Sequence, residues 1–280
     1  MDDGENVTDN RVGTKSIHVI EPVFDHGALK AIYYDTESTW LRPNLCMVDP
    51  NGNVLWQTNA MCLRGPDVEA GARIGVVWGD SVVFCVYERS WPEMLSDFAE
   101  DCVFLNGGVE GVDYVTVLEH AIDFNVKRKA AVNVILTGWE RIGRNASLPD
   151  DLRAALKSIP NAVLATMPTS LNARIINTDI RNAFVSDASR PDFFRFLGKH
   201  AYSLDAQRLF FAHICQRNEM IRAVANETGT PLVDLFSAFD SSQLADFREC
   251  FFDVSHPRPT AYKKIASIVW ETVGPLLARQ

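Results

Sequence analysis

The stretch "RIGVVWGDSVVF", residues 73–84, changes character abruptly. Ile74 to Trp78 form a short apolar run with no polar alternation, the pattern of a strand buried on both faces. Gly79-Asp80-Ser81 then breaks it. A glycine at that point lets the chain turn sharply where a side chain would obstruct it, and such a turn can expose a serine. Taken alone, Ser81 reads more readily as the cap of a following helix than as a reactive group.

Similar apolar runs recur downstream. Strands are expected at 74–78 (IGVVW), 102–106 (CVFLN), 132–137 (VNVILT), 162–167 (AVLATM) and 231–235 (PLVDL). Between them, "WPEMLSDFAE", "DYVTVLEHAIDFNVKR", "LPDDLRAALKSI" and "AQRLFFAHICQRNEMIRAVANET" carry apolar residues at helical spacing. Strands alternating with helical crossovers predict a three-layer α/β/α, flavodoxin-like sandwich on a central five-stranded parallel sheet. In such sheets ligands collect at the carboxyl ends of the strands. Gly79-Asp80-Ser81, Asn106-Gly107-Gly108 and Gly138-Trp139-Glu140 all fall there.

Residues 1–60 read differently. The first dozen are acidic and polar and are expected to fray. Short apolar stretches follow, with Asp49-Pro50-Asn51-Gly52 as a hairpin turn, so this part is read as a β-rich extension before a main domain at 61–280. Residues 168–205 are too long for an ordinary connection and mix Phe184, Phe193, Phe194 and Phe196 with arginines. They are read as an insertion over the active edge, placed to select substrate.

Composition excludes some partners. The chain has 280 residues, 47% of them hydrophobic, and a formal charge of −9, enough apolar material for one sizeable core. The acidic balance argues against nucleic acid or an anionic membrane surface as the main partner. With no signal-peptide pattern at the start and no apolar run of membrane-spanning length, a cytoplasmic location is expected. Cys46, Cys62, Cys85, Cys102, Cys215 and Cys250 show no metal-ligand spacing and are read as free thiols.

A serine hydroxyl becomes nucleophilic only when a base takes its proton. "FFDVSHPRPTAYKKIA", near the end of the chain, offers His256 as that base and Asp253, three residues earlier, to hold the imidazole tautomer. His18, His26, His120, His200 and His213 lack comparable context and are read as surface or satisfied core residues.

From about Thr58 to the end the chain resembles the SGNH (GDSL) hydrolases. "VVWGDSVVF" looks like the family's first block, "LNGGVEG" like its second and "DVSHPRPTAYKKIA" like its last, in family order. The resemblance implies an acyl-ester hydrolase with Ser81 as nucleophile, His256 and Asp253 as its partners, and the N–H groups of Ser81 and Gly108 as oxyanion donors. It implies no metal or cofactor, and a short acyl ester of a carbohydrate or small metabolite as substrate. Asp80 and Trp139 are the candidate substrate contacts; against that, Asp80 could orient the nucleophile loop or, more commonly, satisfy backbone donors at the strand end, and a large aromatic such as Trp139 more often packs than lines a pocket. Arg141 and Arg144 could bind an anionic group or form a solvated face.

The third block departs from the family pattern. In "LTGWERIGRN" the asparagine expected to donate to the oxyanion is aligned with Glu140, and an ionised carboxylate cannot donate. Three outcomes stay open: Glu140 is held protonated, Asn145 substitutes, or the protein is slow or inactive. Two other activities stay open beside hydrolysis: acyl transfer from the same site, and binding without catalysis. The oligomeric state is not legible.

Overall fold

The apolar runs form strands because helices cover both faces of the sheet, so alternation has no water-facing side to serve. The computed structural model describes residues 15–18, 40–48, 52–85, 89–137, 145–173, 175–177, 203–240 and 248–280; of 15–18 and of residue 145 only the backbone is described. The chain divides into two compact units, Met1–Val68 and Glu69–Gln280.

The first unit holds a three-stranded sheet in the order β1 (Lys15–His18), β2 (Leu45–Val48), β3 (Val54–Gln57). β2 and β3 pair antiparallel, as a hairpin requires, with Met47 opposite Trp56; the turn residues 49–51 lie outside the described residues. β1 adds in parallel beside β2, a pairing that local sequence did not announce. Just after β3, the Thr58 hydroxyl accepts from the Leu45 N–H at 2.9 Å and donates to the Arg42 carbonyl at 2.6 Å. The buried Arg64 guanidinium lies 5.7 Å from the centre of the Trp56 ring.

The second unit is the α/β layer structure. Its strands are β4 (Arg73–Gly79), β5 (Cys102–Gly108), β6 (Val132–Leu136), β7 (Ala162–Ala165) and β8 (Leu232–Val233). All neighbours pair parallel, in the order β5-β4-β6-β7-β8. Counted from β4 this is 2-1-3-4-5, the flavodoxin-like order, whose switch point lies beside the first strand.

Helices flank both faces. α1 (Ser81–Phe84), α2 (Trp91–Met94), α3 (Tyr114–Lys127), α4 (Leu148–Leu156), α5 (Leu204–Thr228), α6 (Leu235–Ala238) and α7 (Pro259–Leu277) follow in chain order. On one face Trp78 of β4 meets Phe124 of α3 edge-on at 5.4 Å; on the other, Phe104 of β5 meets Trp270 of α7 at 6.4 Å. α5, the longest helix among the described residues, starts where the Ser203 hydroxyl accepts the Ala206 N–H and stops at Gly229, whose φ of 67° ends it in a left-handed turn.

One buried polar network runs through the α3 face. The Trp78 indole N–H donates to Asn133 Oδ1 at 2.9 Å, and Asn133 in turn exchanges hydrogen bonds with Asn125 of α3. A satisfied network of this kind fixes the register of β4 against β6 more tightly than apolar packing would.

All six cysteines are free; Cys85 and Cys102 are buried and the others half-buried. Burial pushes the Cys102 thiol up to about 11, so it stays protonated and inert. Among the described residues, no helix is long and apolar enough to cross a membrane and no group of His, Cys, Asp and Glu could hold a metal ion. Of the stretch 168–205, residues 174 and 178–202 fall outside the described residues, among them Phe184, Phe193, Phe194 and Phe196.

Candidate active site

Ser81 opens α1 immediately after β4. Gly79 is required at the turn, because a Cβ there would lie 2.3 Å from Val83 Cγ2 and 2.9 Å from the Leu136 carbonyl. Asp80 caps the short helix: its Oδ1 accepts the Val82 N–H at 2.9 Å and its carbonyl accepts from Val83 and Phe84. Two further anchors hold α1 from outside. The Trp91 indole donates to the Val82 carbonyl at 3.1 Å, and the Asn106 amide donates to the carbonyls of Val83 and Phe84 and to the Ser90 hydroxyl. A four-residue helix has little stability of its own, so these contacts fix where the serine points.

His256 arrives from the other end of the chain, in the turn that leads into α7. The turn is closed by a Phe251–Pro257 bridge and by the Phe252 N–H donating to the His256 carbonyl at 2.8 Å. Asp253 is buried within it; its Oδ1 accepts the N–H groups of Ser255 and His256, both at 2.8 Å. Its Oδ2 lies 2.7 Å from His256 Nδ1, and His256 Nε2 lies 2.9 Å from Ser81 Oγ. The structure thus brings Ser81 to His256, 175 positions away in the sequence, and with Asp253 forms one line of hydrogen bonds.

The electrostatics follow from burial and pairing. Burial pushes the Asp253 carboxyl up, but the charge and hydrogen bonds of His256 and two backbone donors outweigh it, leaving it below the ordinary carboxylate range. For His256, burial favours the neutral ring. The Asp253 charge and hydrogen bond, with Asp80 and Glu110 adding to them, outweigh that and hold it above the ordinary imidazole range. A hydroxyl bonded to an imidazole whose far nitrogen is held by a buried carboxylate is an arrangement that can move a proton off the hydroxyl.

Two expected roles meet a different arrangement. The Gly108 N–H, expected to face an oxyanion, already donates to Asn106 Oδ1 at 2.8 Å, inside the last pair of β5 with β4. Gly108 is a glycine for close packing, since a Cβ there would lie 2.5 Å from the Phe84 nitrogen. Asp80, expected near the substrate, is 3% exposed and caps α1. The Ser81 N–H, in contrast, has no acceptor among the described residues.

Trp139, Glu140, Arg141 and Arg144 lie outside the described residues. Asn145 opens a short 3-10 turn, Asn145–Ser147, with its side chain outside the description. The residue that sequence reasoning missed is Asn106. Its signal was an amide side chain at the end of an otherwise apolar strand, a position that calls for buried partners.

No protein-family model matches the sequence, and no curated protein does. Solved structures do match. One is a member of the lipolytic G-D-S-L family from Veillonella parvula, at 18% identity and TM-score 0.51, covering 71% of this chain and 97% of that one. A catalytic mutant of Axe2, an acetylxylan esterase from Geobacillus stearothermophilus, matches at 12% identity and TM-score 0.50, over 74% of this chain and 96% of that one. The acetyl xylan esterase AlAXEase matches at 15% identity and TM-score 0.50, over 71% of this chain and 98% of that one. With the strand order and the helices on both faces, these likenesses show that the chain has the fold of the GDSL (SGNH) hydrolases.

Proposed function

We propose that the protein is a serine-dependent acyl-ester hydrolase. The observation that carries this reading is the unbroken line from Ser81 Oγ through His256 to Asp253, with contacts of 2.9 and 2.7 Å. Ser81 Oγ attacks the ester carbonyl carbon while its proton passes to His256 Nε2. The carbonyl oxygen becomes an oxyanion, and Asp253 stabilises the imidazolium that has formed. His256 then gives the proton to the departing alcohol as the C–O bond breaks. Water, deprotonated by His256, attacks the acyl-serine; collapse of that second intermediate releases the acid and returns the proton to Ser81.

The oxyanion needs preorganised donors. The Ser81 N–H is one. We assign the second to Gly111 rather than Gly108. Val109 donates to the Gly79 carbonyl at 3.0 Å, which keeps the turn after β5 alongside the nucleophile turn. Within that turn Gly111 is exposed at φ 69°, and its N–H has no acceptor among the described residues.

For substrate we propose a short, acetyl-like ester of a carbohydrate or small metabolite. This finer reading rests on two fold relatives named as acetylxylan esterases. Incubation with p-nitrophenyl acetate and with acetylated xylooligosaccharides, with S81A as control, tests it. Free acetate from both, lost in S81A, supports the reading. Release from the activated ester alone rejects xylan-type substrates, and acetyl transfer to an added sugar acceptor makes the protein a transferase. No turnover of any ester, with oligosaccharide binding retained by S81A, makes it a binding protein.

A further inference from the structure

The loop leaving β7 is buried although it is neither helix nor strand: Thr166, Met167, Thr169, Ser170, Leu171 and Asn172 are all at most 5% exposed. Such a run must place its backbone and side-chain polar groups on specific partners. Its near end is held by α5, where the Asn218 side chain accepts the Met167 N–H at 2.8 Å and donates to the Met167 carbonyl at 3.1 Å.

Its far end reaches the turn that carries His256. The Thr169 hydroxyl donates to the Val254 carbonyl at 2.6 Å, and the Ser170 N–H donates to the same carbonyl at 3.1 Å. The Thr169 oxygen also accepts the Leu171 N–H at 3.1 Å, which fixes the hydroxyl's direction. Val254 is the residue that follows Asp253 and stands two before His256. Its carbonyl ties the acid–base turn to the loop leaving β7.

We infer that Thr169 is a positioning residue for the Asp253–His256 pair, acting through the Val254 carbonyl. The inference rests on the reading of Ser81, His256 and Asp253 as a catalytic line. Without the hydroxyl, the Val254 carbonyl keeps the Ser170 amide and its peptide keeps the Ser255 N–H bond to Asp253 Oδ1, so the peptide is held less firmly and can tilt, carrying the carboxylate with it. The carboxylate then loosens from Nδ1, and the imidazole moves relative to Ser81. A displacement of about 1 Å in a catalytic group is enough to lower rates by up to ~10²-fold.

The test is the rate of Ser81 labelling by a fluorophosphonate, followed across pH in the full-length chain, for wild type, T169S and T169V. Labelling of the wild type at Ser81 establishes the reading on which the inference rests; its absence overturns that reading and the inference with it. With the wild type labelled, the inference expects T169V to react about 10- to 100-fold more slowly. It also expects the acid limb of the T169V profile to move to lower pH as Asp253 loses its hold on His256. T169S, which keeps the hydroxyl, should retain the wild-type limb and nearly the wild-type rate. A folded T169V with an unmoved limb overturns the inference even if its rate falls, because that is what a merely structural residue would give. A T169S as impaired as T169V overturns it too. Should T169V not fold, T169A is judged by the same criteria.

Discussion

Asp253 holds His256 at two points, Oδ2 to the ring Nδ1 at 2.7 Å and Oδ1 to the backbone N–H at 2.8 Å. One carboxylate therefore builds the turn and orients the imidazole. The two residues stand three positions apart in the chain, so the orientation is set by local geometry, and the approach to Ser81 depends on the tertiary fold.

Replacing Asp253 with asparagine separates these tasks. The amide oxygen can still accept the two backbone N–H groups, but the amide nitrogen placed against Nδ1 is a donor and favours the wrong imidazole tautomer. D253N should fold and should lose ester turnover by about 10³- to 10⁴-fold. Circular dichroism alongside ester kinetics checks both halves.

The pH dependence has a definite sign. Ser81 activation requires neutral His256, and its proton affinity is raised, so kcat/KM should climb on an acid limb above the ordinary imidazole value. Stability runs the other way for this group. The contribution of a raised His256 is full below the unfolded-state value and is lost as pH rises through the folded one. For Asp253, lowered in the fold, it is full above the ordinary carboxylate value and is lost as pH falls through the lowered one. A kcat/KM profile with thermal melts across the same pH range checks the two signs.

Gly108 is predicted to resist substitution for a packing reason. A methyl group there would lie 2.5 Å from the Phe84 nitrogen and 2.9 Å from its Cα, both backbone atoms of α1. G108A should cost about 1–3 kcal/mol in stability and displace α1 with Ser81, which urea denaturation and ester kinetics would read together.

Asn106 is the anchor between β5 and α1. N106A removes hydrogen bonds to the Val83 and Phe84 carbonyls and to the Ser90 hydroxyl, and leaves the Gly108 N–H without its acceptor. Each buried group left unpaired costs about 1–3 kcal/mol. A large fall in the urea midpoint is expected; a midpoint within a few tenths molar of wild type would show that water replaces the side chain.

The parallel strands were legible because a two-sided buried strand leaves an unbroken apolar run, as in Val76-Val77-Trp78, bounded by Gly79. The pairing of Ser81 with His256 was legible only through motif order, since no local pattern connects residues 175 positions apart. Gly107-Gly108 announced a close backbone approach, but whether the Gly108 N–H faced a substrate or a neighbour depended on Asn106, two residues earlier. The parallel addition of β1 to β2 was not legible, because a short strand carries no mark of the edge it joins.

The most direct test is intact-mass analysis after treatment with a fluorophosphonate, with S81A as control, because this probe needs an activated serine and no knowledge of the substrate. A single adduct mapped to Ser81 and absent from S81A is predicted. A folded wild-type protein that gains no adduct, or gains one at another residue, would contradict the assignment of Ser81 as the nucleophile.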